Sequence, residues 1–430
     1  MPVSAFFFRL QGLLSQIWIK ITVYSLLALV TALAAVWLRT FIPSEIEVKL
    51  GADAVETVLS ILATSMLTVA TFSLGIMANA ISGAADGATP RATPLLLEDG
   101  VSQNALATFL GAFSFSLVGI IALQIGIYND GGRIILLAVT IGVIILIYVA
   151  FIRWVNLLRS FGRIPDTLNR IEESASEALK RRLQHPFLAC HPLRETDKDH
   201  TGMITLCANE IGFVQHIDTA QLQKCAVALD IEVIVDRLPG QFATATRPLA
   251  YLRVKADLPD SEAINNLTKC FTVGHMRTIK QDPQLGMIML SETAIRALSP
   301  AVNDPGTAID ALRRALRILL RWDQHATPEV IHDRIWVPGL KADDFLRDLI
   351  RPIARDGAAI VEVQHVLQSV LRDLAEARPE VFAEAAHAQS QEAMARAEAA
   401  LTLDSEKAEV RALAAEIPDG MNRDQPPAMV

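Results

Sequence analysis

The chain has 430 residues, 51% of them hydrophobic, and a formal net charge of -8. With a mean hydropathy of +0.33, that apolar share excludes an ordinary soluble domain and implies lipid-facing surface. The acidic balance excludes nucleic acid as a main partner.

The apolar excess lies in residues 1–160, which read as a transmembrane domain. Four runs there, at about 17–38, 57–79, 105–126 and 133–152, are each long enough to cross a hydrocarbon core of roughly 30 Å as a helix of about 20 residues. The first run follows Arg9 and Lys20 and contains Ala32 and Ala34, the A-x-A spacing of a cleaved signal. It continues through Val36, Trp37 and Leu38 to span length, so it is read as a membrane helix. Lys and Arg resist translocation, and Arg9, Lys20, Arg91, Arg153, Arg159, Arg163 and Arg170 outnumber Arg39, Lys49 and Arg133 on the opposite side. Both termini are therefore expected in the cytoplasm, for a multi-pass protein of the cell inner (cytoplasmic) membrane.

Within the second run, Ser60, Thr64, Thr68, Thr71, Gly75, Asn79 and Ser82 recur every three or four residues and form one polar stripe. Acyl chains offer hydroxyls no partner, so the stripe is expected to face protein or water. Tight helix packing is one reading; a water-filled pathway is the other. The absence of Asp, Glu, Lys or Arg in mid-span weighs toward packing. The following ISGAADGATPRATPLLLEDG carries the Gly and Pro signals of a loop. Arg91 there is expected either to snorkel to lipid headgroups or to pair with Glu98 or Asp99 at the membrane interface.

Beyond residue 160 the sequence turns polar. Residues 161–200 read as a charged connector helix, and 201–256 as a small β-rich subdomain with one helix near 219–229, because β-branched runs alternate with the turn signals Pro239-Gly240 and Thr246-Arg247-Pro248. Cys190, Cys207, Cys225 and Cys270 show no C-x-x-C spacing and are read as free thiols in a reducing compartment.

A helical subdomain, 257–356, contains the loop ALSPAVNDPG. Asp282 and Pro283 start a helix that Pro300 stops. Asp304 is a favourable N-cap for the next helix, Pro305 suits its first position, Thr307 with Asp310 approximates a capping box, and Asn303 can bond backbone in the turn. Ser299, Pro300, Asn303, Asp304, Pro305 and Thr307 are the candidate ligand-binding or coupling loop; helix punctuation alone is the competing account. The second helix sets Arg313, Arg317 and Arg321 on one face, either salt-bridged to the acidic remainder of the domain or in contact with anionic headgroups. Residues 357–415 read as C-terminal helices broken at Arg378-Pro379, and 416–430 as a disordered tail.

Nothing in the sequence assembles a catalytic group. Nucleotide loops, zinc-protease motifs and nucleophile elbows are absent, and the spacing of His185, Cys190 and His191 fits no zinc arrangement. No catalytic residue, metal or cofactor is expected, and the reading leans away from an enzyme.

Two separated stretches, DPQLGMIMLSETAIRALSPAVNDPGTAI (282–309) and TVATFSLGIMANAISGAADGATPRATPLLLEDGVSQNALATFLGAF (68–113), resemble the bacterial predicted membrane proteins grouped as domain of unknown function 2254. Ser73, Pro90, Arg91, Asp99 and Gln103 carry the likeness in the membrane part. Ala297, Leu298, Ser299, Pro300, Asn303, Asp304, Pro305, Thr307 and Ala308 carry it in the loop. The chain departs from the pattern at Leu285, where the family favours an aromatic, and at Thr89, where it favours Ser. The resemblance implies a fold and a location but no activity.

The fold expected is therefore an α-helical integral membrane protein with four transmembrane helices and a C-terminal cytoplasmic α+β domain, forming a homo-oligomer in the lipid bilayer. The leading functional expectation is a channel- or transporter-like protein with a regulatory or ligand-binding cytoplasmic domain. A non-conducting scaffold or sensor is the alternative, and an enzyme acting at the ALSPAVNDPG loop the third.

Overall fold

A computed structural model describes residues 52–126, 130–254, 259–322 and 329–418, together with Ile19, Thr22, Val23, Leu26 and Val30. Those five residues of the first apolar run are helical; the rest of that run, and 419–430 of the tail, lie outside the described residues. Two units are formed. Among the described residues from 52 on, one unit holds 52–86 and those of 92–167, and the other holds 87–91 and those from 168 on.

The first unit is helical. Helix α1 (Ala52–Gly87) is followed by a single 3-10 turn (Pro90–Ala92), the short α2 (Thr93–Leu97), α3 (Gly100–Gln124) and α4 (Asp130–Leu158). Among the described residues three helices, rather than the expected four, are long and apolar enough to cross a membrane: α1, α3 and α4. Helix α1 also runs past the expected end near Asn79, through Ser82, Gly83 and Gly87. Those residues have weak helix propensity, but Ala84 is fully buried and joins the Met77, Phe109 and Trp154 cluster, so packing holds the last turns helical. Helix α3 starts earlier than its apolar run, because Asp99 caps it by accepting from Ser102 N (2.7 Å) and Ser102 Oγ (2.9 Å). The Phe109, Ala112, Phe115 and Ser116 side of α3 is buried, whereas Ile141, Ile145, Tyr148 and Ile152 of α4 are exposed, as acyl chains require.

The second unit mixes helix and sheet. Helix α5 (Ile164–Gln184) buries Leu168, Ile171, Ala175, Ala178 and Leu179, one stripe at helical spacing. Strands β1 (Cys190–Pro192), β2 (Ile204–Cys207) and β3 (Gly212–Ile217) precede α6 (Thr219–Ala228), whose N-cap Asp218 accepts from Gln221 N at 2.9 Å. Then come β4 (Ile231–Val235), β5 (Phe242–Ala243), β6 (Pro248–Val254), α7 (Ser261–Thr268), β7 (Phe271–Gly274), α8 (Gln284–Ala297), α9 (Pro305–Leu319) and β8 (His332–Val337). Helices α10 (Ala342–Asp356), α11 (Val361–Ala377), α12 (Pro379–Ala400) and α13 (Asp404–Ala415) complete the described chain.

One sheet has the order β1-β8-β4-β6-β2, with β8 parallel to both β1 and β4 and the remaining pairs antiparallel; the other is β5-β3-β7, antiparallel. The sheets thus reach beyond the expected 201–256 segment. The central IEVIV of β4 buries four of its five residues, and such a strand needs neighbours on both edges; β8 supplies one of them from 332–337. Gly240, at φ +92°, turns the chain against the buried Asp282 carboxylate, where any side chain would collide. Gly286 plays a similar part on α8, allowing the methyl of Ala175 on α5 to close against it. Trp322 packs edge-on against Phe345 (5.1 Å) and Phe382 (5.6 Å), binding the end of α9 to α10 and α12.

Candidate functional site

The ALSPAVNDPG loop is held almost entirely by its own backbone. Leu298 ends α8, and Ser299 donates through both N and Oγ to Arg296 O, at 3.2 and 2.7 Å. Ser299 O in turn accepts from Val302 N (3.0 Å) and Asn303 N (2.8 Å), and Ala297 O from Asp304 N (2.8 Å). Asn303 takes the left-handed conformation (φ 53°), one of the few residue types that tolerates it. Asp304 caps α9: Thr307 N donates to Oδ1 (3.2 Å) and Thr307 Oγ1 to Oδ2 (2.5 Å). Both carboxylate oxygens are thus engaged within the cap. Asp310 takes no part in it, contrary to the capping box expected from sequence, because it accepts from Arg314 Nε one turn on (2.8 Å). Pro300 and Asn303 are exposed, and Pro305 is half-buried at the first helical position.

On α9 the residue that matters most electrically is Arg314, which the expected basic face of Arg313, Arg317 and Arg321 leaves out. Its side chain is only 10% exposed and meets Glu172 Oε2 (2.9 Å) and Asn169 Oδ1 (2.5 Å), both on α5, besides Asp310. Arg317 grips the same carboxylate with Nε and Nη2, both at 2.7 Å. The Arg317 hydrogen bonds hold the Glu172 carboxyl below its ordinary value, burial opposes them, and the charges of Arg317 and Arg314 add to the lowering. Arg313 is exposed, and Arg321 borders an open cleft of about 550 Å³ with Glu173, Glu177 and Lys180.

The strongest long-range constellation lies on α8. Glu292 is the one acidic residue of that helix. Thr89, 1% exposed, donates from Oγ1 to Glu292 Oε2 at 2.6 Å, and the Arg91 guanidinium forms an ion pair with Glu292 Oε1. Arg91 N donates back to Thr89 Oγ1 (3.2 Å), which closes the ring. Pro90 lies between them and opens the 3-10 turn Pro90–Ala92. The expected partner of Arg91 was Glu98 or Asp99; Asp99 is instead the cap of α3. The five residues 87–91 belong to the α/β unit although the chain on either side, through Asp86 and from Ala92, belongs to the helical one.

Three threonines of the α1 polar stripe bond within their own helix. Thr64 Oγ1 donates to Ser60 O (3.0 Å), Thr68 Oγ1 to Thr64 O (2.9 Å), and Thr71 Oγ1 to Leu67 O (2.7 Å) and Thr68 O (3.0 Å). Such back-bonding gives these three hydroxyls an acceptor without any partner outside the helix. Ser60, Thr64, Thr68, Thr71, Asn79 and Ser82 are all exposed, and an open groove of about 930 Å³ runs along Glu56, Ser60, Thr64 and Thr68. At its end Glu56 accepts from Gln124 Nε2 at 3.1 Å.

Among the described residues no group of His, Cys, Asp and Glu is arranged to hold a metal ion. The model of the family described as predicted membrane protein (DUF2254) matches residues 14–373. Uncharacterized proteins of Mycobacterium bovis and Mycobacterium tuberculosis are each 24% identical over 299 residues, covering 66% of this chain and 57% of theirs. The chain thus spans little more than half the length of the curated relatives it matches. No solved structure matches.

Proposed function

The chain belongs to the DUF2254 family of predicted membrane proteins, and from that premise we propose a non-conducting membrane sensor or scaffold whose α/β unit biases its membrane helices through the Glu292 clasp. In this reading it is a multi-pass protein of the inner membrane with cytoplasmic termini, and the run 17–38 supplies a fourth span. The observation that carries the proposal is the convergence of Thr89 and Arg91 on one carboxylate from more than 200 residues away. Asp86, near the end of α1, and Ala92, ahead of α2 and α3, flank the segment 87–91 that carries the clasp, and the covalent chain is the proposed route from α8 to these helices. The ALSPAVNDPG loop, one turn beyond Glu292, is the element through which a ligand or partner would shift α8. Exposure of the α1 stripe suits pairing with a helix of a second copy, since small residues permit close approach.

Conduction is the second reading, favoured by the open groove and its Glu56. The back-bonded threonines count against it, because their hydroxyls are already occupied by backbone carbonyls.

The test uses the full-length protein in proteoliposomes, with its four cysteines replaced and Thr64→Cys as the reporter. The rate of reaction with a membrane-impermeant maleimide is compared with and without Glu292→Gln. Coupling predicts that the rates differ roughly five-fold or more, the lower end of ordinary allosteric coupling. Equal rates in two well-folded proteins would dismiss the clasp as a transmitter, and ion flux abolished by Thr→Val at 64, 68 and 71 would promote conduction over it.

A further inference from the structure

Residues 131–165 carry four arginines and no Asp or Glu. Arg133 stands near the start of α4, whereas Arg153, Arg159 and Arg163 gather at its other end, and these three are exposed. Among the described residues none of the three guanidinium groups has a hydrogen bond or an ion pair. Ile141, Ile145, Val149 and Arg153 follow one another at intervals of four, so they share one face of the helix. The three apolar members are exposed on a helix long and apolar enough to cross a membrane, which makes their row a surface for acyl chains. Arg153 ends the row. An arginine at that position extends an apolar stem along the acyl surface and its charge into the headgroup layer.

The turn bearing Arg159 and Arg163 is held in place. Phe161 N donates to Leu157 O (3.0 Å) and Arg163 N to Ser160 O (3.1 Å). Phe161 is buried in the cluster with Met77, Phe109 and Trp154, and its ring lies tilted against that of Trp154 at 6.3 Å. Gly162, at φ +77°, brings the turn against Ala80 of α1, where any side chain would collide. Two arginines are thus presented from a fixed backbone beyond the one on α4. A site ordered before binding loses less entropy when its ligand arrives.

We propose that Arg153, Arg159 and Arg163 bind the headgroup of an anionic phospholipid of the surrounding bilayer. The guanidinium groups hold its phosphate, which matches their planar donor geometry, and its acyl chains lie along the row of Ile141, Ile145 and Val149. A lipid suits this place better than a soluble anion does, because the charges adjoin an acyl-facing surface. A zwitterionic lipid suits it less, because its own cation would meet three positive charges that no carboxylate offsets. The site belongs wholly to the helical unit and does not depend on the Glu292 clasp.

The experiment titrates the purified full-length protein in a neutral detergent with phosphatidylglycerol, or with phosphatidylcholine of the same chains, and counts bound lipid by native mass spectrometry. Phosphatidylglycerol is expected to stay bound where phosphatidylcholine dissociates, and added salt to weaken it, since the charges are exposed. A basic residue at an anionic lipid surface contributes about five-fold in affinity. Each of Arg153→Gln, Arg159→Gln and Arg163→Gln should therefore lose about that much, and the triple variant on the order of 100-fold. Arg133→Gln, with the same change of charge at the other end of α4, should bind as the wild type does. Should the triple variant misfold, the three single variants, each at an exposed position, decide the matter. Equal retention of the two lipids would overturn the proposal, as would a triple variant that binds like the wild type or an equal loss from Arg133→Gln. Inorganic phosphate bound as tightly as the lipid would assign the arginines to a soluble anion instead. A triple variant that keeps its lipid but falls to a smaller oligomer would assign them to a second copy of the chain.

Discussion

Glu292→Ala is expected to lower the unfolding free energy of the α/β unit by about 1–4 kcal/mol, mostly through a residue that is not replaced. Thr89 is almost fully buried, and its hydroxyl would lose its acceptor; an orphaned buried donor costs about 1–3 kcal/mol. The Arg91 contribution is smaller, because its side chain is 51% exposed and a half-solvated ion pair is worth about 1 kcal/mol or less. Glu292→Gln keeps an acceptor for Thr89 and should lose roughly half as much. Urea unfolding followed by circular dichroism in detergent measures the difference. An alanine variant as stable as the wild type would mean that the clasp carries no stabilisation.

Glu172→Gln is expected to cost about 2–3 kcal/mol. It strips the carboxylate charge from Arg314, which is only 10% exposed, and breaking a buried pair leaves an uncompensated charge that costs about 3–5 kcal/mol. The figure is reduced here because Asp310 and Asn169 still reach the guanidinium, at 2.8 and 2.5 Å. The same carboxylate sets an acid dependence. Its folded value lies below the ordinary 4.5, so its stabilisation is fully present above that value and is lost as pH falls through the lower, folded one. The glutamine variant should lack this leg of the acid-unfolding profile. Parallel profiles for the two proteins would contradict the assignment.

Local chemistry was readable from the sequence, and distant pairing was not. Asp304 as a cap, Pro305 at the first helical position and the helix near 219–229 all follow from neighbours within four residues, where backbone rules decide the outcome. Arg91 shows the limit. Asp99 lies eight residues away and was the natural partner to name, yet the cap of α3 claims it, and Glu292 takes its place from the far side of the sequence. A signal did exist, since Glu292 is a solitary carboxylate in an otherwise uncharged stretch of α8 before Arg296. Its use depends on which face of the helix is covered, a tertiary fact.

The basic face of α9 was legible only in part: Arg317 does pair with an acidic residue of the domain, Glu172, as one of the two readings has it. Periodicity grouped Arg313, Arg317 and Arg321, but burial singles out Arg314, and burial depends on α5 lying alongside. The sheet boundaries were missed because β1 and β8 are short and their partners lie far along the chain. The α1 stripe is expected to need protein or water, and intrahelical bonding removes that need for Thr64, Thr68 and Thr71.

The central claim is that residues 87–91 transmit what happens on α8 to the helices they interrupt. Hydrogen exchange of the full-length protein in nanodiscs, comparing wild type with Glu292→Gln, tests it most directly. The account predicts faster exchange in α8, in 88–92 and onward into the first turns of α3. Exchange that changes only within 284–304, with 88–104 as protected as before, would contradict it.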